Sequence, residues 1–175
     1  MARNIEVKAR ISSVEALLPV ACALAGTDAE LIQQDDTFFT VPHGRLKLRE
    51  FADGSAELIH YHRADSAQAK ASDYVRTPVP DAAALRQALQ RACGLQGRVR
   101  KQRWLVIVQD QGFSTRVHLD RVEKLGDFME LEVVLKDGQT DAQGAGTADR
   151  LMLQLGLAAA PRLAGAYMDL LAAPP

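Results

Sequence analysis

Residues Asn4 to Ile11 read Asn-Ile-Glu-Val-Lys-Ala-Arg-Ile, with polar and apolar side chains alternating without a break. Successive side chains of a β-strand point to opposite faces. Ile5, Val7, Ala9 and Ile11 therefore share one face, and Asn4, Glu6, Lys8 and Arg10 the other. The same pattern returns along the chain. Arg45, Lys47 and Arg49 oppose Leu46 and Leu48; Glu57, Tyr61 and Arg63 oppose Leu58; Arg116, His118 and Asp120 oppose Val117 and Leu119. Lys101 and Arg103 share a face, and Glu130 and Glu132 oppose Met129, Leu131, Val133 and Leu135. Any fold for this chain must give both faces of these strands a suitable surrounding.

Turn residues mark off the remaining elements. Ser12 and Glu15 have capping-box spacing, and a helix is expected from there to about Ala25, kinked or restarted at Pro19. Strands are expected over Gln33–Val41, Arg45–Arg49, Ala56–Arg63 and Ser72–Thr77, punctuated by Pro42-His43-Gly44 and Asp53-Gly54. Asp81 is placed as the N-cap of an amphipathic helix reaching Cys93. Strands follow over Arg98–Val108, Phe113–Val122 and Asp127–Leu135, then two helices over Thr147–Leu155 and Arg162–Leu171. About eight strands with short connections imply antiparallel pairing. The expected fold is α+β: an eight-stranded antiparallel closed barrel with helices packed outside, as one domain over residues 1–175 whose residues 146–175 form closing C-terminal helices.

Composition limits what the chain can bind. The net charge of −1 sets up no global field for nucleic acid or an acidic membrane, so neither is expected as a partner. No apolar run approaches the length of a membrane span. The first strand begins at the N-terminus, which leaves no room for a secretory signal. Cys22 and Cys93 lie in Ala/Leu-rich helical patterns, where cysteine acts as a small hydrophobe. Reduced thiols and a cytoplasmic location are the expectation.

Alternation cannot say which face is inside. Charged strands could surround an apolar barrel core, or apolar outer faces could lie under helices with the charge inside. The density of Arg, Lys and Glu favours the second arrangement. Buried charge is costly unless compensated. Many cations then call for a polyanion, and carboxylates among them for a hard divalent cation, magnesium or manganese. No glycine-rich phosphate loop is present, so side chains would hold the phosphates.

On these residues the chain resembles the CYTH superfamily, the triphosphate tunnel metalloenzymes. The hallmark of that superfamily is an N-terminal Glu-x-Glu-x-Lys strand, read here as Asn4-Ile5-Glu6-Val7-Lys8. Gly44 to Glu50 resembles the basic strand of its class IV adenylyl cyclase-like branch, and His118-Leu119-Asp120 and Glu130-Leu131-Glu132 resemble its late acidic strands. The resemblance runs from about Arg3 to Leu171. It implies a metal-dependent enzyme acting on ATP or another triphosphate, by cyclisation to cyclic AMP and pyrophosphate or by hydrolysis. It implies that Glu6, Asp120, Glu130 and Glu132 hold Mg2+ or Mn2+, that Lys8, Lys47, Arg49, Arg63, Lys101, Arg103 and Arg116 grip the triphosphate, and that Arg10 and Lys70 assist. Lys8, Arg116 and Asp120, a ligand or a base, would be closest to the chemistry. Asn4 stands where the hallmark has its first Glu; Asn offers a carbonyl oxygen but no charge. A non-catalytic module that binds a triphosphate is the alternative that Asn4 favours.

His118, on the charged face, could touch phosphate, act as an acid or base, or make a structural hydrogen bond. His60 and His62 have no third ligand on their face and read as surface residues. Phe39, Tyr61 and Trp104 are either stacking partners for a base or core aromatics.

Overall fold

The computed structural model describes residues 2–63 and 70–172, without side-chain detail for residues 2, 63 and 70–73. Its elements are β1 (Ala2–Arg10), α1 (Val14–Ala25), β2 (Glu30–Phe39), β3 (Arg45–Phe51), β4 (Ala56–Arg63) and β5 (Lys70–Pro78), then α2 (Ala82–Cys93), β6 (Leu95–Asp110), β7 (Phe113–Val122), β8 (Gly126–Leu135), α3 (Asp141–Gln154) and α4 (Tyr167–Ala172). All strand pairs are antiparallel, in the order β1-β5-β4-β3-β2-β6-β7-β8, and the ring closes because β1 pairs with both β5 and β8.

The apolar faces point outward, under helices. Ile5, Val7 and Ala9 of β1 join Val117 and Leu119 of β7 and Met129, Leu131 and Val133 of β8 in one core, closed by Val14, Leu17 and Ala21 of α1 and Ala148, Leu151 and Met152 of α3. A smaller cluster sets Phe39, Leu48 and Ala56 beneath Leu85 and Leu89 of α2. β1, β7 and β8 are thus buried on both faces, one greasy and one charged, whereas β5 leaves Val75 of its outer face exposed.

The N-cap of α1 is Ser13, whose hydroxyl accepts from the Ala16 N–H at 3.1 Å; the expected box at Ser12 does not form. The helix continues through Pro19. α3 begins at Asp141, ahead of the expected Thr147, with a complete capping box between Thr140 and Gln143. Gly144 and Gly146 lower the helix propensity of the first two turns, which hid them in the sequence. The last helix is much shorter than expected. Before it, Arg162 forms an isolated bridge with Ala9 and the Leu163 N–H donates to the Lys8 carbonyl at 2.8 Å, so extended chain replaces the helical start.

Gly144 and Gly146 sit in different surroundings. A Cβ on Gly144 would stand 2.7 Å from Ile5 and 2.8 Å from Leu135, whereas at Gly146 it would meet only the Arg150 guanidinium, at 3.8 Å. Gly146→Ala should therefore raise stability by about 1 kcal/mol through helix propensity. Gly144→Val should lower it by about 1–3 kcal/mol through overpacking. Urea unfolding of the two variants checks the contrast.

Candidate active site in the tunnel

Inside the ring lies a cavity of about 300 Å³, lined among others by Asn4, Glu6 and Lys8 of β1, Asp36 of β2, Lys47 and Arg49 of β3, Lys101 and Arg103 of β6, Arg116 and His118 of β7, and Glu130 and Glu132 of β8. The period of two that aims the apolar residues at the helices aims these inward. Register then decides who meets whom. Lys8 faces Glu130 and Glu6 faces Glu132 across β1–β8; His118 faces Glu130 and Arg116 faces Glu132 across β7–β8.

Two buried acids each hold a pair of bases. Asp36 accepts from Arg49 Nε and Nη2, both at 2.7 Å, and from Lys47 Nζ at 2.8 Å. Asp120 accepts from Arg103 Nε and Nη2, both at 2.6 Å, from Lys101 Nζ at 3.1 Å, and from the Tyr167 hydroxyl at 2.9 Å. Paired guanidinium contacts of this kind fix orientation as well as charge. Burial pushes the Asp36 carboxyl up, but Arg49 and Lys47 outweigh it and hold it well below the usual carboxylate range. Burial likewise opposes ionisation of Asp120, and Arg103 and Lys101 override it. With its oxygens engaged by three cationic or hydroxyl donors, Asp120 is a poor base near neutral pH and is ill placed to hold a cation. These contacts argue against the ligand and base roles expected of it.

The acidic group lies beside this wall. Glu130 meets Arg103 Nη2 at 3.0 Å and Lys8 Nζ at 3.5 Å, and Glu132 accepts from Arg116 Nε at 2.8 Å. His118 Nδ1 stands 3.9 Å from Glu130 and 3.8 Å from Glu132, beyond hydrogen-bond reach. Ligand atoms of His118, Glu130 and Glu132 all lie within 4.8 Å of one another. Burial, with Arg103 adding to it, keeps the imidazole pKa below its ordinary value. Burial opposes the charge on Glu130 and Glu132, yet Lys8 at the first and His118 at the second help hold both below the usual range. Among the described residues, three buried polar atoms of the lining, Asn4 Oδ1, Gln34 Oε1 and His118 Nδ1, have no hydrogen-bond partner in the structure.

The inner end of the cavity meets Phe38, Val99, Val122 and Phe128, packed with Tyr167 and Met168 of α4. Lys8 Nζ lies 4.0 Å and Lys101 Nζ 5.0 Å from the centre of the Tyr167 ring, within cation–π range. Arg45 of β3 is tied to Asp169 of α4 at 2.7 Å.

Of the expected site residues, Glu6, Lys8, Lys47, Arg49, Lys101, Arg103, Arg116, Glu130 and Glu132 come together on the cavity wall, with Asp120 buried behind Lys101 and Arg103. Arg10 does not join them: its guanidinium donates to the Leu125 carbonyl at 2.7 Å and stacks over Phe128, because the strand has passed the end of the cavity. The side chains of Arg63 and Lys70 lie outside the described residues. Tyr61 lines the cavity. Phe39 and Trp104 belong to the outer cores under α2 and α1, so neither can stack on a ligand in the tunnel. His60 and His62 are exposed, and the His60 ring contacts the His43 carbonyl at 3.0 Å. Asp36 and Tyr167 were not anticipated. Asp36 follows Asp35, so only one of the pair can point inward, and its face also carries Ile32 and Phe38.

Burial and the neighbouring Arg103 bring the Lys101 pKa down to about 7, and burial with Arg49 brings Lys47 down to about 8. Both are charged below pH 7 and shed protons as pH rises through 7 and 8. A polyanion in the cavity would restore the charge. Binding of tripolyphosphate at pH 8 should therefore take up about one proton per ligand, and its affinity should fall as pH rises across this window. Calorimetry in buffers of different ionisation enthalpy measures the uptake; Lys101→Met should reduce it.

Among the described residues no helix is long and apolar enough to cross a membrane. The chain resembles solved structures at low identity. The PH1012 protein of Pyrococcus horikoshii superposes with a TM-score of 0.80 at 23% identity, covering 95% of this chain and 98% of that one. A conserved hypothetical protein of Pyrococcus furiosus gives a TM-score of 0.80 at 20% identity, over 95% and 99% of the two chains. A "putative adenylate cyclase" of Vibrio parahaemolyticus gives 0.76 at 21% identity, over 97% and 98%. At these identities the likeness speaks to the fold alone. No curated protein matches the chain. The family model of the CYTH domain matches residues 2–167, and the chain belongs to the CYTH family.

Proposed function

We propose that this protein binds an organic triphosphate, ATP as the first candidate, in the tunnel and converts it with a divalent cation, by cyclisation to cyclic AMP and pyrophosphate. The observation that carries this reading is the pair of buried acids, Asp36 and Asp120, that hold Lys47, Arg49, Lys101 and Arg103 toward one cavity beside Glu130 and Glu132. Donors fixed before the ligand arrives need no reorganisation during reaction. Bound phosphates would meet the remaining N–H groups of these bases, with Lys8 and Arg116 at the acidic side.

The residues fit a hard divalent cation. Glu6, Glu130 and Glu132 supply carboxylate oxygens, and the unpartnered Asn4 carbonyl oxygen lies on the same face of β1 as Glu6. When bound, Mg2+ or Mn2+ would neutralise phosphate charge and act as a Lewis acid. In cyclisation the ribose 3′-oxygen bonds to the α-phosphorus, the α–β bridging bond breaks, pyrophosphate leaves, and the hydroxyl proton passes to solvent. The wall also includes apolar Ile32, Phe51 and Leu105 and the rings of Tyr61 and Tyr74, a surface suited to an organic group next to the phosphates. Asn4, which brings no charge, favours a second reading in which the tunnel binds the triphosphate without turning it over.

A product screen separates these readings. ATP, GTP, thiamine triphosphate and tripolyphosphate are each incubated with Mg2+ or Mn2+, and cyclic nucleotide, pyrophosphate and phosphate are scored separately. Cyclic AMP with pyrophosphate is expected. Phosphate release alone would replace cyclisation by hydrolysis, and saturable binding without product would leave the binding module. Glu132→Ala should abolish metal-dependent turnover, whereas Glu15→Ala, in an exposed pair with Arg121, should not. Lys47→Met should weaken triphosphate binding about 10–100-fold, the weight of a hydrogen bond to a charged group.

A further inference from the structure

We infer that His118 is a nitrogen ligand of the cation held by Glu130 and Glu132, so that the tunnel prefers a transition-metal ion such as manganese or cobalt to magnesium. The inference rests on the metal-dependent reading above and adds the imidazole, and with it the selectivity, to that site.

The geometry leaves His118 a gap to fill. The residue is 3% exposed, and its Nδ1 is a buried polar atom without a hydrogen-bond partner. Such atoms are rare in folded proteins and ask for an explanation. Carboxylate oxygens of Glu130 and Glu132 stand 3.9 and 3.8 Å from it. That is too long for a hydrogen bond and too short for unrelated groups kept apart by solvent. Ligand atoms sit roughly 2.0–2.2 Å from a small divalent cation, so two on the same ion are separated by about 3.0 Å when adjacent and about 4.3 Å when opposed. The observed separations fall between these limits. Arg103 already touches Glu130 Oε2 at 3.0 Å, but a carboxylate oxygen has more than one lone pair and can serve two partners.

The register makes this arrangement a property of the fold. His118 is the β7 residue directly opposite Glu130, and Glu132 is the next inward residue along β8. Three adjacent inward positions therefore give one nitrogen and two carboxylates. A wall of carboxylates alone suits magnesium and calcium; imidazole shifts preference toward transition ions, along the order Mn2+ below Co2+. Magnesium, which demands oxygen and gives up its water reluctantly, is the ion that loses most from the exchange.

Electron spin-echo envelope modulation on the full chain loaded with Mn2+, alone and with tripolyphosphate, reads the ligand directly. Nitrogen-14 modulation from a coordinated imidazole is expected in the wild type and should vanish in His118→Asp and His118→Asn. The other histidines, His43, His60 and His62, are exposed and do not line the cavity. Competition titrations should show the ratio of Co2+ to Mg2+ affinity falling about tenfold or more in His118→Asp. Bound Mn2+ without nitrogen modulation in the wild type, or modulation that survives both variants, would overturn the ligand assignment and leave the cation reading standing. No bound Mn2+ under either condition would overturn both.

Discussion

The interior of this barrel depends on two buried carboxylates. Asp36 is 3% and Asp120 0% exposed, and each is ionised against the cost of burial because an arginine and a lysine share it. Removing one partner from a buried ion pair is far more damaging than never having built the pair. The pairs are therefore interdependent: each acid needs its bases to stay charged, and each base is aimed by its acid. Two arginine and two lysine side chains consequently point at one cavity in fixed orientations before any ligand enters.

The rest of the fold serves that arrangement. A barrel with charge inside has its apolar faces outside, and these require cover. α1, α3 and α2 supply it, so the cores under these helices lie around the barrel, while the cluster of Phe38, Val99, Phe128 and Tyr167 fills one end of its interior. α4 has a different task. Its Tyr167 reaches the inner end of the cavity, donates to Asp120 and presents its ring to Lys8 and Lys101, while Asp169 holds Arg45 at the barrel wall. One short helix thereby links the end of the chain to both β1 and β6.

Much of this was legible in the sequence because period-two alternation carries two kinds of information at once. Where one face is aliphatic and the other is dense in Arg, Lys and Glu, both the strand and its two environments can be read, as in Ile5 to Ala9 and Val117 to Asp120. The choice of inner face could not be read that way; it follows from the helices that claim the aliphatic side. Asp36 stayed hidden because Asp35 beside it offers the opposite parity and because Phe38 shares its face. Asp120 was expected as a ligand or base, since a sequence shows a carboxylate but not the two cations that register sets beside it. Tyr167 was invisible for a related reason: it acts across 47 positions of chain on Asp120, from a helix too short for its periodicity to say where it packs.

The two acid-anchored base pairs are held ready on the wall of one cavity, as a preassembled anion cage would require. A crystal structure of the protein with tripolyphosphate and Mn2+ tests that cage most directly. Phosphate oxygens should lie within hydrogen-bond distance of Lys47, Arg49, Lys101 and Arg103, with the contacts of Asp36 to Arg49 and of Asp120 to Arg103 intact. Tripolyphosphate found only outside the barrel, or bound inside with Asp36 or Asp120 displaced from its bases, would contradict the account.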